Sequence, residues 1–317
     1  MLLNILVPTY NRPVALRKNL SMLDRYISEK KCAEDVKVIV SDNGSSSDEE
    51  SENRVAVQSF HNSIEYHHHQ DNMGYEKNIL FLLSKSVSEY VMYLGDDDYL
   101  SFDLFSLIVD YIRTGNYSCI VCNFFLVDEQ GKRIAAGCRD LIQKDREYNR
   151  NDMIFALKGH QLSCLTFRTE GVLDFYRHHC KSNQYPTITF IGYSMSCGNG
   201  LHITRFPYAN TQINKKNFDY SFDGLLEDAC KCYECLPFCS KEYRVEAYKQ
   251  FLIEDRDRFV NRQTFIHPFR FIKKVYREYD VSNLMRKMIV RKFIPEWIKL
   301  PFRYCYDMFE RKVIKRH

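Results

Sequence analysis

Short, nearly continuous apolar runs alternate with amphipathic segments through the first hundred residues. The runs "LNILVP" (3–8), "VKVIVS" (36–41) and "EYVMYL" (89–94) suit buried parallel strands, and "SIEYHHH" (63–69) reads as a further strand. Between them, Pro13 opens a helical segment whose Leu16, Leu20, Leu23 and Ile27 share one face, and "YEKNILFLLSKS" reads as a second helix. The stretch "DNGSSSDEE" is rich in turn formers and reads as a loop ending the second strand. Strands alternating with helices at this spacing predict right-handed βαβ units and a twisted parallel sheet.

The pattern changes after residue 100. "SFDLFSLIVDYIR" predicts a helix, and "YSCIVCNFFLVDEQGKRIAA" two strands joined by a hairpin-like turn at Asp128 to Gly131. Residues 140–217 carry no clear period, and 221–260 read as largely helical. Consecutive His67, His68 and His69 cannot converge on one ion from a strand, so a solvent-facing strand end is the expected reading.

Charge is divided unevenly. The net +4 conceals a tail, from Thr264 onward, of 14 Lys and Arg against 5 Asp and Glu, which leaves residues 1–263 at −5. Basic residues interleaved with Phe265, Phe269, Phe271, Trp297 and Phe302 are consistent with a segment lying on an anionic membrane surface, and equally with a helical subdomain bearing a solvated basic face. No nucleic-acid-binding module accompanies the tail, and none is expected to bind there. The opening lacks a basic n-region and a small-residue cleavage site. No run approaches the ~18 apolar residues of a membrane span. These features predict a cytoplasmic chain, peripheral on the cytosolic face of the membrane if the tail engages lipid. The 12 cysteines read as thiols; Cys230, Cys232, Cys235 and Cys239 match no common zinc module and fit small buried hydrophobes better.

The candidate chemistry lies in four polar loops, "PTYNRP", "SDNGSSSD", "QDNMG" and "GDDDYL", each following a predicted strand. Ligands of open parallel sheets bind beyond those strand ends. The first loop has no glycine, so no phosphate cradle of backbone amides is available there. A phosphate ligand would need a cation held on carboxylates, and Mg2+ or Mn2+ suits Asp96, Asp97 and Asp98. A solvated acidic turn is the plainer alternative.

Taken in order, "ILVPTYNRP", "VIVSDNGSSSD", "NMGYEKN" and "YLGDDDYL" resemble the nucleotide-binding half of family 2 glycosyltransferases of the GT-A fold, over residues 3 to 136. The resemblance implies an α/β, Rossmann-like, mixed but mostly parallel sheet flanked by helices, and the sequence beyond it reads as a helical, basic C-terminal extension. The chain is thus expected to divide into a transferase domain (1–217, with a nucleotide-binding half 1–136 and an acceptor-side half 137–217) and a C-terminal region (218–317). The resemblance implies that Pro8, Thr9, Tyr10 and Asn11 line the nucleoside pocket and that Asp42 hydrogen-bonds the base, typically uracil. Asn72, Gly74 and Asn78 match the family's positions, with Lys77 where an arginine is more usual. The aspartates match a D-x-D-like element for ribose and metal-bound diphosphate, with Asp97 and Asp98 on the metal. The family's first aspartate aligns with Gly95, so ribose contact requires Asp96 to substitute for it.

The resemblance further implies inversion at the anomeric carbon and a general base on the acceptor side. Glu227 and Asp228 are the matching pair, with Asp219 and Asp223 as alternatives; "NQYPTITF" occupies a comparable place without a carboxylate. The expected reaction is transfer from a nucleoside diphosphate sugar, UDP-linked, to a glycan or lipid-linked glycan in surface-polysaccharide assembly. A nucleotidyltransferase, disfavoured by the glycine-free loop, and a catalytically degenerate sugar-nucleotide-binding scaffold are the rivals.

Overall fold

The computed structural model describes residues 1–135, 144–149, 152, 158–211, 231–232, 234–236, 240 and 298. The chain divides into two compact units, Met1–Asp219 with Glu227–Phe238, and Tyr220–Leu226 with Cys239–His317; all described residues but Ser240 and Ile298 belong to the first.

Four parallel strands form the first half of the sheet: β1 (Leu3–Thr9), β2 (Val36–Asp42), β3 (Ile64–His68) and β4 (Tyr90–Tyr93), in the order β3-β2-β1-β4. Beyond β4 the sheet becomes mixed. β8 (Leu165–Arg168) runs antiparallel between β4 and β5 (Cys119–Val127), and β5 pairs parallel with β9 (Gly200–Thr211). Short strands β6 (Arg133–Ala135) and β7 (Arg146–Tyr148) pair antiparallel with β5 and β9.

Helices cover both faces. On one face α1 (Pro13–Lys30) packs with α2 (Ser47–Gln58) and α4 (Phe102–Thr114), burying Leu16, Leu20, Leu23 and Ile27 against Leu3, Ile5 and Val7. On the other, α5 (Val172–His179) packs against both α3 (Tyr75–Lys85) and α6 (Pro186–Cys197). Tyr93, Phe167 and Phe190 cluster there, with ring centroids 5.7–6.3 Å apart and Tyr93 stacked on Phe190. The mixed sheet flanked by helices is the fold class expected from sequence.

Two elements differ from expectation for local reasons. "DNGSSSDEE" is not all loop: α2 begins at Ser47, with Asp48, Glu49 and Glu50 in its first turn, where carboxylates complement the helix dipole. Its apolar face is slight (Asn53 and Ala56 are its buried residues), so no helical period shows. α6 conceals its period in the opposite way, because nearly all of "PTITFIGYSMSC" is buried and much of it is β-branched. The turn at Asp128 to Gly131 is as expected; the Asp128 carboxylate accepts from the Lys132 amide at 2.7 Å, and Gly131 has φ +81°.

Candidate active site

Because β2 and β4 flank β1 on opposite sides, the order of the parallel strands reverses at β1. The loops after these three strands therefore meet at the carboxyl edge, where a crevice opens in sheets of this kind. The glycine-free loop after β1 is fixed from both sides. The Asn11 amide donates to Ser45 Oγ at 2.8 Å, and the Asn11 side chain accepts from the Ser46 amide at 3.0 Å. Asn11 adopts a left-handed φ of +52°, which asparagine tolerates better than most residues. The two bonds hold Tyr10, partly buried, and Arg12 at the crevice.

Arg12 accounts for the three aspartates. Its guanidinium lies 3.0 Å from Asp96 Oδ1 and 2.5 Å from Asp97 Oδ2, so one planar cation forks across two carboxylates. Burial works against the Arg12 charge, but Asp96, Asp97 and Asp98 outweigh it and raise its pKa. Thr9 donates to the other Asp96 oxygen at 2.6 Å.

The three carboxylates have different surroundings. Asp96 is fully buried, and its burial raises its pKa against the opposing Arg12 charge. Asp97 keeps 19% of its side chain exposed. Asp98 is buried among donors: Ser163 Oγ at 2.5 Å and Asn210 Nδ2 at 3.2 Å on one oxygen, and the Thr211 amide at 2.9 Å on the other. Burial and the Asp97 charge raise its pKa, and these three donors oppose them. Ser163 Oγ also accepts from the Gly95 amide at 2.9 Å, and Asn19 donates to the carbonyls of Gly95 and Asp98. Gly95 has a steric reason as well. A Cβ there would lie 3.2–3.4 Å from Ser163 Oγ and from carboxylate oxygens of Asp97 and Asp98.

Asp42 sits fully buried at the end of β2. One of its oxygens accepts from the Ser45 amide at 2.9 Å; the other accepts from Asn53 Nδ2 at 3.0 Å and Tyr66 Oη at 2.8 Å, with His68 Nδ1 at 3.4 Å. Burial raises its pKa, but these hydrogen bonds outweigh burial and hold it below the ordinary carboxylate range. Asn43 takes up the next position, donating to Asn72 Oδ1 and accepting from the Met73 amide, each at 3.0 Å. Gly44, with φ +83°, lets this loop touch the Asn72 loop; a Cβ would meet Asp71 C at 2.5 Å. Asn72 also caps back onto the Gly74 amide, and Lys77 is exposed in the first turn of α3. Asn78 turns inward instead, accepting from Ser41 Oγ at 2.6 Å, and so ties α3 to β2.

The edge thus assembles Pro8, Tyr10, Asn11, Asn72, Gly74 and Asp97, with Thr9, Asp42, Asn78, Asp96 and Asp98 buried behind them. Arg12, Asn43, Ser163, Asn210 and Thr211 complete it without having been singled out from the sequence. Arg12 was legible as a lone cation in the first loop, whereas Ser163, Asn210 and Thr211 lie 65 to 113 residues from Asp98 and gave no local signal. Glu227, Asp228, Asp219 and Asp223 lie outside the described residues. The histidine tract is not a free strand end: His67 contacts Glu65 at 2.6 Å, His69 contacts Ser41 Oγ at 3.0 Å, and both pack edge-on to Phe81. Among the described residues no group of three or more His, Cys, Asp or Glu is arranged to hold a metal, and no helix is long and apolar enough to cross a membrane.

Comparison with known proteins agrees with the fold. The chain is 28% identical over 112 residues to the abequosyltransferase RfbV of Salmonella typhimurium, a match spanning 35% of this chain and 33% of that protein. The fold resembles S. aureus TarS (residues 1–349) in complex with UDP-GlcNAc, with a TM-score of 0.64 at 14% identity over 84% of this chain and 76% of that one. It also resembles the mannosyltransferase PcManGT of Pyrobaculum calidifontis in complex with GDP-Man and Mn2+, with a TM-score of 0.53 at 10% identity over 96% and 87% of the two chains. Residues 4–176 match glycosyl transferase family 2, and the chain belongs to that family.

Proposed function

We propose that this glycosyltransferase moves a sugar from a nucleoside diphosphate donor, UDP-linked, onto a hydroxyl of a lipid-linked glycan during surface-polysaccharide assembly. The observation that carries the reading is the Arg12–Asp96–Asp97 cluster at the carboxyl edge, where β1 and β4 end side by side. The complexes of TarS with UDP-GlcNAc and of PcManGT with GDP-Man and Mn2+ support a nucleotide-sugar donor, and the match to an abequosyltransferase supports a role in surface glycans.

The donor set suits a hard cation only in part. Asp97 offers carboxylate oxygen to solvent, whereas Asp98 already accepts three hydrogen bonds. Magnesium needs no more than one or two carboxylates when substrate phosphates complete its shell. Asp97 is therefore the principal holder, and Asp98 fixes the loop that presents it. Bound there, Mg2+ or Mn2+ would supply Lewis-acid neutralisation of the leaving diphosphate.

The remaining chemistry falls to the chain. Arg12 orients the diphosphate with a permanent positive charge, and Thr9 with Asp96 holds the ribose side. Tyr10, Asn11, Asn43 and Asn72 border the nucleoside, while Asp42 shapes its wall through Asn53 and Tyr66. Glu227 or Asp228 takes the proton from the acceptor hydroxyl as its oxygen bonds to the anomeric carbon and the bond to phosphate breaks on the opposite side, inverting the centre. The transferase domain comprises residues 1–217, and the basic region from 264 rests on the cytosolic membrane surface.

Calorimetric titration of UDP with Mn2+, and again with excess chelator, tests the donor site. Metal-dependent binding is expected. Binding unchanged by chelator would remove the cation, and failure of UDP, GDP and dTDP alike would overturn the donor assignment.

A further inference from the structure

Behind the α5–α6 linker two thiols meet. The Cys180 thiol donates to Cys235 Sγ at 2.7 Å, about 0.7 Å longer than a bonded pair. Both side chains are partly exposed. They belong to distant parts of the chain: Cys180 caps the C-terminus of α5, and Cys235 lies in the segment 231–236 that follows β9.

Each sulfur is held where it is. Cys180 is bracketed by contacts to Glu76 on α3, which accepts from Tyr176 Oη at 2.6 Å, from Ser182 Oγ, and from the Asn183 amide at 3.0 Å. The segment bearing Cys235 is docked on α6. Leu236, 3% exposed, fills the space beside Gly192, where an added Cβ would lie 2.6 Å from its Cδ1. Cys232 donates to the Tyr185 carbonyl at 3.2 Å, and Cys235 Sγ lies 3.8 Å from Thr189 Oγ1. The proton shared from Cys180 lowers the Cys235 pKa against burial, so Cys235 is the more readily deprotonated of the two.

We propose that Cys180 and Cys235 are a redox-active dithiol that forms a reversible disulfide by exchange with a low-molecular-weight disulfide such as oxidised glutathione. The Cys235 thiolate attacks one sulfur of the small disulfide and expels the first thiolate. Cys180, giving up its proton, then attacks Cys235 Sγ and expels the second. Two protein thiols are oxidised, one small disulfide is reduced to two thiols, and excess dithiol reverses the exchange. The bond spans the chain from 180 to 235, which includes Glu227 and Asp228, and bolts the 231–236 segment to a linker already fixed on α3. It stands independently of the donor and acceptor assignments.

The test uses the full chain exposed to oxidised glutathione, alkylated, digested without reduction and mapped by mass spectrometry. A peptide linking Cys180 to Cys235, two hydrogens lighter than the free pair and lost on adding dithiothreitol, is expected. Cys180→Ser should instead retain glutathione on Cys235, and Cys197→Ser, which removes an exposed thiol, should leave the link intact. Modification of Cys197 with neither link nor adduct at the pair would overturn the proposal. So would pairing of either cysteine with Cys230 or Cys239, or a stable Cys235 adduct in the unsubstituted chain.

Discussion

Arg12 and Asp97 are joined by a 2.5 Å contact between a guanidinium nitrogen and a carboxylate oxygen, across the ends of two adjacent parallel strands. The same guanidinium reaches Asp96, so the acidic loop carries its own counter-charge. Arg12→Lys keeps the charge but cannot fork across two carboxylates. UDP affinity is expected to fall roughly tenfold for Lys and more for Ala, with Ala also costing about 1.5–3 kcal/mol of stability, the range for a lost charged hydrogen bond. Calorimetry and urea denaturation of the two variants measure both effects.

Asp97 and Asp98 should separate cleanly despite being neighbours. Asp97→Asn is expected to fold normally and to lose sugar transfer and the Mn2+ dependence of UDP binding. Asp98→Asn disturbs acceptor sites used by Ser163, Asn210 and the Thr211 amide, so it should cost about 1–3 kcal/mol. Equal stability losses for the two substitutions would contradict this division.

For Asp42 the expectation carries a pH dependence. Its folded pKa is depressed by the Ser45, Asn53 and Tyr66 bonds acting against burial. Its carboxylate therefore contributes stability that is present above the unfolded value near 3.9 and is lost as pH falls through the lower, folded value. Asp42→Asn should be destabilised by about 1–3 kcal/mol at pH 7. The gap from the unsubstituted protein should narrow only below about pH 4, as read by thermal melts across pH.

Restoring the family's aspartate at position 95 should do harm. The added Cβ would crowd three oxygens, and a further carboxylate would join a buried acidic cluster. Gly95→Asp is expected to lower Tm by several degrees, and Gly95→Ala by less, because overpacking costs about 1–3 kcal/mol before charge is counted. A Gly95→Asp variant as stable as the original would remove the steric account.

Deletion of residues 264–317 should weaken flotation with anionic vesicles while leaving UDP binding unchanged. Equal flotation of the full and shortened chains would detach the tail from the membrane reading.

The parallel half of the fold was legible because β1, β2 and β4 are short, apolar and bounded by turn formers, and because α1 shows one clean apolar stripe. Thr9, Asn11, Asn72 and Asp97 could be placed at one edge from topology alone. Their partners could not. Asp98 meets Ser163, Asn210 and Thr211 only through the antiparallel insertion of β8 and the long return to β9, which local periodicity does not encode. Motif position does not reveal the direction of a side chain, as Asp42 and Asn78 show. Both point inward, toward Asn53 and Tyr66 in one case and Ser41 in the other. α6 escaped because a helix buried nearly all round has no polar face to set its phase.

The attachment of Asp98 to Ser163 and Thr211 has a consequence for synthesis on the ribosome. A nascent chain released only as far as residue 136 would hold the four parallel strands and the acidic loop, yet lack Ser163, Asn210 and Thr211, the donors that steady Asp98. Closing contacts across 65 to 113 residues is also slow, since the loop entropy must be overcome before the contacts form. Competence to engage a nucleotide sugar should therefore arrive late and abruptly, once Thr211 has emerged, and a truncated translation product should neither sequester donor nor transfer it.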